Sequence, residues 1–227
     1  MSSPADYYDL SRIRPEVLAA LDKINAMGPA FAARAKAVDD EASFPTKNYK
    51  DLADAGFLGL SIPQEFGGWG FSMGEYAMVG AEIAKYCGAT ALTFNMHNSS
   101  MAWSRFMYDM PNLTPEEKAE FAPLRARQFT RAMKERAIYS QPISEGGQNW
   151  TSKPNQTQCR AVDGGWKING FKKFASLAGY CDYYTIVCTE VFEGLEPRHE
   201  DTMLFVVHKD APGLTVVERI EVIAPHP

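Results

Sequence analysis

Residues 55–68 read Ala55-Gly-Phe-Leu-Gly-Leu-Ser-Ile-Pro-Gln-Glu-Phe-Gly-Gly68, a stretch with four glycines and one proline. Glycine and proline interrupt regular structure, so this composition predicts a loop. A helical pattern over 46–55 comes before it, and Gly56 suits the C-terminal cap of that helix. After it, Ser72 is a good N-cap with Glu75 as its capping-box partner. The stretch therefore predicts a long connection between two helices.

The sequence before residue 136 is helical in character. Its apolar residues recur three and four positions apart, which predicts amphipathic helices. We expect helices over 15–40, 46–55, 72–86 and 89–109, a short one from Thr114, and a last one over 122–135. Gly28-Pro29 predicts a break or kink in the first of these. The helix over 89–109 is mostly apolar with scattered polar side chains, which suits burial on most sides.

The sequence after residue 136 changes to a β pattern. Apolar residues alternate or form short runs between Gly, Pro and Asn, as at Gly164-Gly165 and Asn169-Gly170. We expect strands over 137–144, 157–162, 166–168, 171–175, 183–189, 203–207 and 214–217. So many short strands predict a small barrel or sandwich. The fold class is therefore α+β, with a helical domain over 1–135 and a β-domain over 136–227.

Composition excludes several classes of protein. The formal charge is -5, and the densest basic stretch, Arg125 to Arg136, also reads as an amphipathic helix, so nucleic-acid binding is not expected. No apolar run approaches the roughly 20 residues of a membrane helix, and residues 1–14 lack a signal-peptide core. The four cysteines have no C-x-x-C spacing, and the histidines have no metal-ligand spacing. We expect a cytoplasmic protein with reduced thiols and no metal site.

Four stretches, in this order, carry motifs of one known family. They are the loop at 55–68, Glu82-Ile-Ala-Lys-Tyr86, Ile143-Ser-Glu-Gly146 and Gly164-Gly-Trp-Lys-Ile-Asn-Gly-Phe-Lys-Lys-Phe-Ala-Ser176. They resemble, in turn, G-L-x-G-x-x-I-P-x-E-x-G-G, E-E-L-A, T-E-P and G-x-x-x-x-L-N-G-x-K-x-W-I-T of the acyl-CoA dehydrogenases. Ser144 and Ser176 lie 32 positions apart, which is the family's usual separation. The resemblance covers residues 14–220 and implies the family's fold.

The resemblance implies that two strand ends hold FAD. Phe174 matches the family's stacking Trp and keeps its flat apolar face. Ser176 matches the Thr beside flavin N5, and Ser144 matches a second Thr at the O4/N5 edge. The predicted cofactor-binding residues are Gln141, Ile143, Ser144, Phe174, Ala175 and Ser176. From the pattern alone, Phe174 could equally be a core aromatic and Ser144 a strand-end residue that satisfies backbone groups.

The resemblance also implies an acyl-CoA site. The family's helix equivalent to 89–109 lines the base of the acyl pocket, which makes Leu92, Asn95, Met96 and Ser99 candidate pocket walls, with ordinary helix packing as the alternative. The loop after T-E-P departs from the family. It reads Gly146-Gly-Gln-Asn-Trp-Thr151, without the family's proline or its Ser-Asp. Trp150 would add bulk at the mouth of the cofactor or substrate site, so the substrate class is the part this departure puts in question.

The implied reaction is α,β-desaturation of an acyl-CoA thioester, in which a base removes the Cα proton as hydride leaves Cβ for flavin N5. The family's base is a Glu of a C-terminal bundle, expected beyond Pro227, so no catalytic residue is assigned. Glu145 matches a structural position of the family. The resemblance further implies fatty acid metabolism, an electron-transfer flavoprotein as acceptor and a homotetramer of the full-length form. On this view the chain is a fragment, or one subunit whose partner supplies the bundle.

Two other functions remain open on the same sequence. Flavin-dependent monooxygenases and nitroalkane oxidases share the architecture, and the altered loop over 146–151 leaves room for their chemistry. Alternatively, the chain is a non-catalytic subunit of a heteromer whose partner carries the base.

Overall fold

The computed structural model describes residues 13–147 and 152–217. The chain divides into two compact units, which are helical up to Ala137 and β-rich from Ile138 to Val217. This is the predicted α+β class, with helices first and strands second. The predicted domain limits of 1–135 and 136–227 also cover residues outside the described ranges and stay a prediction.

The helical unit contains five α-helices in the described residues. They are α1 (Pro15–Asp40), α2 (Thr46–Asp54), α3 (Met73–Ala84), α4 (Gly88–Tyr108) and α5 (Pro115–Thr130), and a π-helical turn (Arg131–Glu135) follows α5. The predicted capping box of Ser72 and Glu75 is present, and Thr114 closes a second one with Glu117 at the start of α5. Gly56 follows Ala55, the C-cap of α2, and has a φ of 82°, so it forms the expected left-handed cap.

Of the break or kink predicted at Gly28-Pro29, the break is wrong, because α1 runs through both residues, and the kink stays a prediction. Buried apolar residues continue on the same face before and after the proline, and that packing offsets the hydrogen bond that Pro29 cannot donate. The glycine at position 28 is explained by a close side-chain contact. A Cβ at Gly28 would lie 2.3 Å from the Tyr86 ring, whose hydroxyl donates to Asn25 Oδ1 at 2.7 Å. The glycine lets the Tyr86 ring pack directly on the helix backbone.

Two further expectations for the helices are corrected. The helix predicted from Thr114 and the one predicted over 122–135 are continuous, because α5 covers both up to Thr130 with Pro123 inside it and the π-helical turn continues to Glu135. Burial on most sides is also wrong for α4. One face is buried, through Thr90, Phe94 and Met101, whereas Leu92 and Phe106 are 63% and 60% exposed. Scattered polar residues did not reveal this face, because several of them bond to their own helix backbone.

The loop over 55–68 forms part of the helical core. It folds back on itself, since Phe71 N donates to Leu60 O and Gly70 N donates to Ile62 O, both at 2.8 Å. Leu60, Ile62 and Phe71 are at most 1% exposed. Gly68 makes the fold-back possible, because a Cβ there would lie 2.1 Å from Ile62 O. The helices therefore pack around this loop.

The β-rich unit is built on one five-stranded mixed sheet. Its strands are β1 (Tyr139–Ser140), β2 (Gln158–Val162), β3 (Gly165–Asn169), β4 (Tyr183–Glu190) and β5 (Thr202–His208). The central strand is β4, which pairs antiparallel with β5 on one side and parallel with β1 and then β2 on the other. β2 and β3 form an antiparallel hairpin. Among the described strands these ladders form one mixed sheet, and its closure into the predicted small barrel stays a prediction.

Three predicted strands differ from the structure. The strand expected over 137–144 is only Tyr139–Ser140, and 171–175 and 214–217 are not strands. The segment 171–175 makes one isolated bridge, between Lys173 and Glu145. Its apolar residues suggested a strand face, but Phe171 and Phe174 are 57% and 65% exposed. Their side chains do not enter the core, so the apolar residues of this segment do not form the buried face of a strand.

None of the helices in residues 13–147 and 152–217 is long and apolar enough to cross a membrane.

Candidate functional site

The two segments predicted to hold the cofactor lie side by side in the β-rich unit. Lys173 N donates to Ser144 O at 2.8 Å, and a bridge joins Glu145 to Lys173. Ser140 Oγ donates to Ser176 O at 2.6 Å and ties the segments together a second time. The arrangement of strand ends that the predicted site requires is therefore present. Contact of these residues with a flavin stays a prediction.

The side chains along these segments differ in exposure. Phe174 is 65% exposed, and Ser144 is exposed beside it on the neighbouring segment. The remaining four predicted cofactor residues are half-buried, namely Gln141, Ile143, Ala175 and Ser176. Large aromatic rings are normally covered in folded proteins, so Phe174 is not a core residue of this unit. An uncovered planar ring next to hydroxyl groups has the chemistry that a flat, apolar, polar-edged cofactor needs.

A buried ion pair lies directly behind this surface. Lys172 Nζ is 2.6 Å from Glu145 Oε1, and the two side chains are only 7% and 4% exposed. The ammonium also donates to Ile143 O at 3.1 Å and Asn155 Oδ1 at 3.4 Å. These three acceptors match the three donors of a lysine. The pair therefore links three separate segments of the chain.

Glu145 receives further hydrogen bonds from the backbone. Gln156 N donates to Oε2 at 2.6 Å, and Thr157 N donates to Oε1 at 2.8 Å. Burial alone would raise the pKa of Glu145, but these bonds and the Lys172 ammonium outweigh it and hold the pKa below its usual range. A general base works best when its pKa is near the working pH. Glu145 is thus suited to a structural role and not to proton abstraction.

The buried position of Lys172 was not predicted from the sequence, although a signal for it was present. Lys172 follows Gly170-Phe171 in a stretch expected to be extended, where alternate side chains point toward the interior. Lysine is almost never buried without a partner. A carboxylate directly after the other cofactor segment, Glu145, was the available partner. Pairing the two would have identified the contact.

The backbone turns sharply where the second segment ends. Leu177, directly after Ser176, is 5% exposed and has a φ of 75°. This left-handed conformation costs a leucine on the order of 1 kcal/mol. It is held by its buried side chain and by the turn, in which Cys181 N donates to Leu177 O and Ala178 N donates to Ala175 O, both at 2.9 Å. The turn fixes where Ala175 and Ser176 stop.

The candidate acyl-pocket residues lie on α4, in the helical unit. Leu92, Met96 and Ser99 are three to four positions apart on one face, and Leu92 is 63% exposed. Asn95 is held by α3, because its Oδ1 accepts from the Tyr76 hydroxyl at 3.1 Å. His97 points the other way, is fully buried and has Nε2 at 2.9 Å from Leu58 O. Contact of Leu92, Asn95, Met96 and Ser99 with an acyl group stays a prediction, and Trp150 lies outside the described residues.

Comparison with known proteins adds independent evidence. Residues 24–123 match the family model "Acyl-CoA dehydrogenase, N-terminal domain", and residues 143–224 match "Acyl-CoA dehydrogenase, middle domain". Benzylmalonyl-CoA dehydrogenase of Aromatoleum aromaticum is 27% identical over 84% of this chain and 46% of its own length. L-evernosamine nitrososynthase of a Micromonospora species is 27% identical over 87% of this chain and 44% of its own. The chain spans about half the length of the curated relatives it matches.

Solved structures agree on the fold. The structure of KijD3 in complex with FMN and a dTDP-sugar superposes with a TM-score of 0.76 at 23% identity, covering 92% of this chain and 48% of that one. FMN-bound TdsC from Paenibacillus sp. A11-2 gives a TM-score of 0.66 at 22% identity, covering 86% and 45%. At this identity the likeness concerns the fold alone.

Proposed function

As the chain belongs to the acyl-CoA dehydrogenase family, we propose that it is part of a flavoenzyme that binds FAD and introduces a double bond between Cα and Cβ of an acyl-CoA thioester. The two family models match most of the chain, on either side of residues 124–142. Relatives named as dehydrogenases of acyl-CoA substrates support the reaction. The activity is that of the whole protein, of which this chain would supply the cofactor surface and part of the acyl surface.

The observation that carries the proposal is the surface formed by the adjoining segments at Ser144 and Phe174. The exposed Phe174 ring would stack on the flavin, and the hydroxyls of Ser144 and Ser176 would act at its polar edge. FAD would supply the acceptor for the hydride that leaves the substrate. The protein's own contribution is to hold this ring and these donors in place before the flavin arrives.

The acyl group would contact α4 through the stripe Leu92, Met96 and Ser99, in which this structure leaves the apolar Leu92 and Met96 and the hydroxyl-bearing Ser99 partly uncovered. Asn95, fixed by Tyr76, would border that stripe with a polar edge. We assign no catalytic base in the described residues, because Glu145 is already paired with Lys172. We further propose an electron-transfer flavoprotein as electron acceptor, a homotetrameric full-length form, and a cytoplasmic role in fatty acid metabolism.

Titration of the chain with FAD, followed by quenching of flavin fluorescence, tests the proposal. Removal of the stacking ring in Phe174→Ala should weaken FAD binding by about tenfold, since aromatic stacking contributes about 0.5–1.5 kcal/mol beyond area burial. Phe171→Ala is the matched control, because Phe171 is also exposed and lies three positions away. A chain that binds no flavin, or equal losses in both variants, would contradict the proposal.

A flavin-dependent monooxygenase is the second candidate. The segment after Glu145 continues as Gly146-Gly147 without the family's Ser-Asp, and two amino-sugar nitrososynthases are 27% and 28% identical to this chain. The FMN-bound neighbours share its fold. Competition between FAD and FMN separates the candidates, together with oxygen uptake in the presence of reduced flavin. Preference for FMN and oxygen uptake that depends on an amine or aromatic substrate would replace the dehydrogenase proposal.

A further inference from the structure

We infer that Glu145 and Lys172 are positioning residues, which hold the two flavin-contacting segments at their working separation. The inference rests on the proposed flavin site. Glu145 directly follows Ser144 on the first segment, and Lys172 comes two residues before Phe174 on the second. Neither side chain is exposed enough to meet a flavin face, so they act through their neighbours.

The contacts of Lys172 explain how the first segment is fixed. Its ammonium donates to the Ile143 backbone oxygen at 3.1 Å as well as to the Glu145 carboxylate at 2.6 Å. The residue between these two acceptors is Ser144, whose own carbonyl accepts from Lys173 N at 2.8 Å. Ser144 is therefore held on both sides and through its own backbone. Moving the Lys172 ammonium would move Ser144 relative to Phe174.

The contacts of Glu145 anchor the pair to the sheet. The carboxylate accepts from Gln156 N and Thr157 N, just before β2. Asn155 N in turn donates to Thr189 Oγ1, on the central strand β4, at 2.7 Å. Gly170 closes the arrangement, because a Cβ there would lie 2.5 Å from Thr157 Cα. The second segment, which begins after Gly170, thus starts in contact with Thr157, whose backbone N–H is hydrogen-bonded to Glu145.

Physical cost argues that the pair has a geometric purpose. Burying two charges carries a large desolvation cost, and apolar residues of similar size often stabilise a fold as well or better. A charged pair differs in being directional, since each bond fixes both distance and angle. Here every donor of the lysine has an acceptor and the carboxylate accepts three bonds. Such a network fixes the relative positions of three segments. A flavin site needs this precision, whereas an ordinary hydrophobic core does not.

The test compares FAD affinity in three variants. Lys172→Met removes the ammonium but leaves a buried carboxylate unpaired, so the double variant Glu145→Gln with Lys172→Met serves as a neutral form with better prospects of folding. Lys173→Met is the matched control. It removes one positive charge, as Lys172→Met does, but from an exposed side chain at the next position in the sequence. Circular dichroism first establishes the temperature at which each variant is folded, and FAD is titrated there.

We expect the double variant to bind FAD at least tenfold more weakly than the wild type and the Lys173→Met control to stay within twofold. Amide exchange at Lys173 and Thr157 should also accelerate in the double variant, which reports the loosened segments without flavin. Wild-type affinity and unchanged exchange in a folded double variant would overturn the inference and leave the proposed function intact. Absence of flavin binding in the wild type would instead reject the proposed function, while the exchange measurement would still judge whether the pair positions the segments.

Discussion

Single residues decide whether the helical core can close, and Gly68 is the clearest case. A Cβ at this position would lie 2.1 Å from Ile62 O, a backbone atom that cannot rotate away. Gly68→Ala should therefore lower the free energy of unfolding by about 1–3 kcal/mol, the usual cost of overpacking. Urea denaturation measures it.

Gly80→Ala is the control for this substitution. Gly80 lies inside α3, and a Cβ there would meet nothing within 4 Å. Replacing a helical glycine with alanine should stabilise the protein by about 0.5–1 kcal/mol. If both variants lose similar stability, the close approach of Gly68 to Ile62 is not what makes the glycine necessary.

At the scale of an element, the N-terminus of α3 is held by a charge network. Glu75 closes the capping box with Ser72 and accepts two hydrogen bonds from Arg14, at 2.6 and 2.9 Å. The Arg14 hydrogen bond is the main cause that lowers the pKa of Glu75 from 4.5 to about 2. Since the folded pKa is the lower one, the stabilisation is present above about pH 4.5 and is lost as pH falls toward 2.

We therefore expect Glu75→Gln to be less stable than the wild type at pH 7, with a difference that shrinks between about pH 4.5 and 2. Unfolding by urea across this pH range measures it. Glu117→Gln is the matched control, because Glu117 closes the same kind of box in α5 with its pKa-lowering hydrogen bonds coming from Thr114. A pH-independent difference for Glu75→Gln would refute the role of the Arg14 pair.

At the scale of the whole molecule, burial lowers the reactivity of the cysteine thiols. All four cysteines are free and buried. Burial raises the pKa of Cys181 to about 11 and that of Cys188 to about 12. Because the thiolate is the reactive form, the cysteines of the folded chain should react very slowly with a thiol reagent at pH 8. Unfolding in guanidinium should release all four thiols, and Ellman's reagent counts them in both states. Rapid reaction of any thiol in the folded chain would contradict this.

The sequence by itself determined what depends on near neighbours. Both capping boxes, the Gly56 cap and the change from helices to strands follow from local spacing and backbone preferences, and the motifs indicated the family. The resemblance to that family also implied that the segments at Ser144 and Ser176 lie side by side. Their predicted cofactor role was an inference from resemblance, not from spacing.

Only the tertiary structure decided the features that depend on contacts far along the chain. Helix α1 continues through Pro29 because packing on both sides outweighs one lost hydrogen bond, and 171–175 is not a strand because Phe171 and Phe174 find no core to enter. The Lys172–Glu145 pair joins residues 27 positions apart. Burial, and the partners that a buried charge requires, are set by the whole fold, so local pattern predicts which residues form an element and tertiary contact determines what each side chain does.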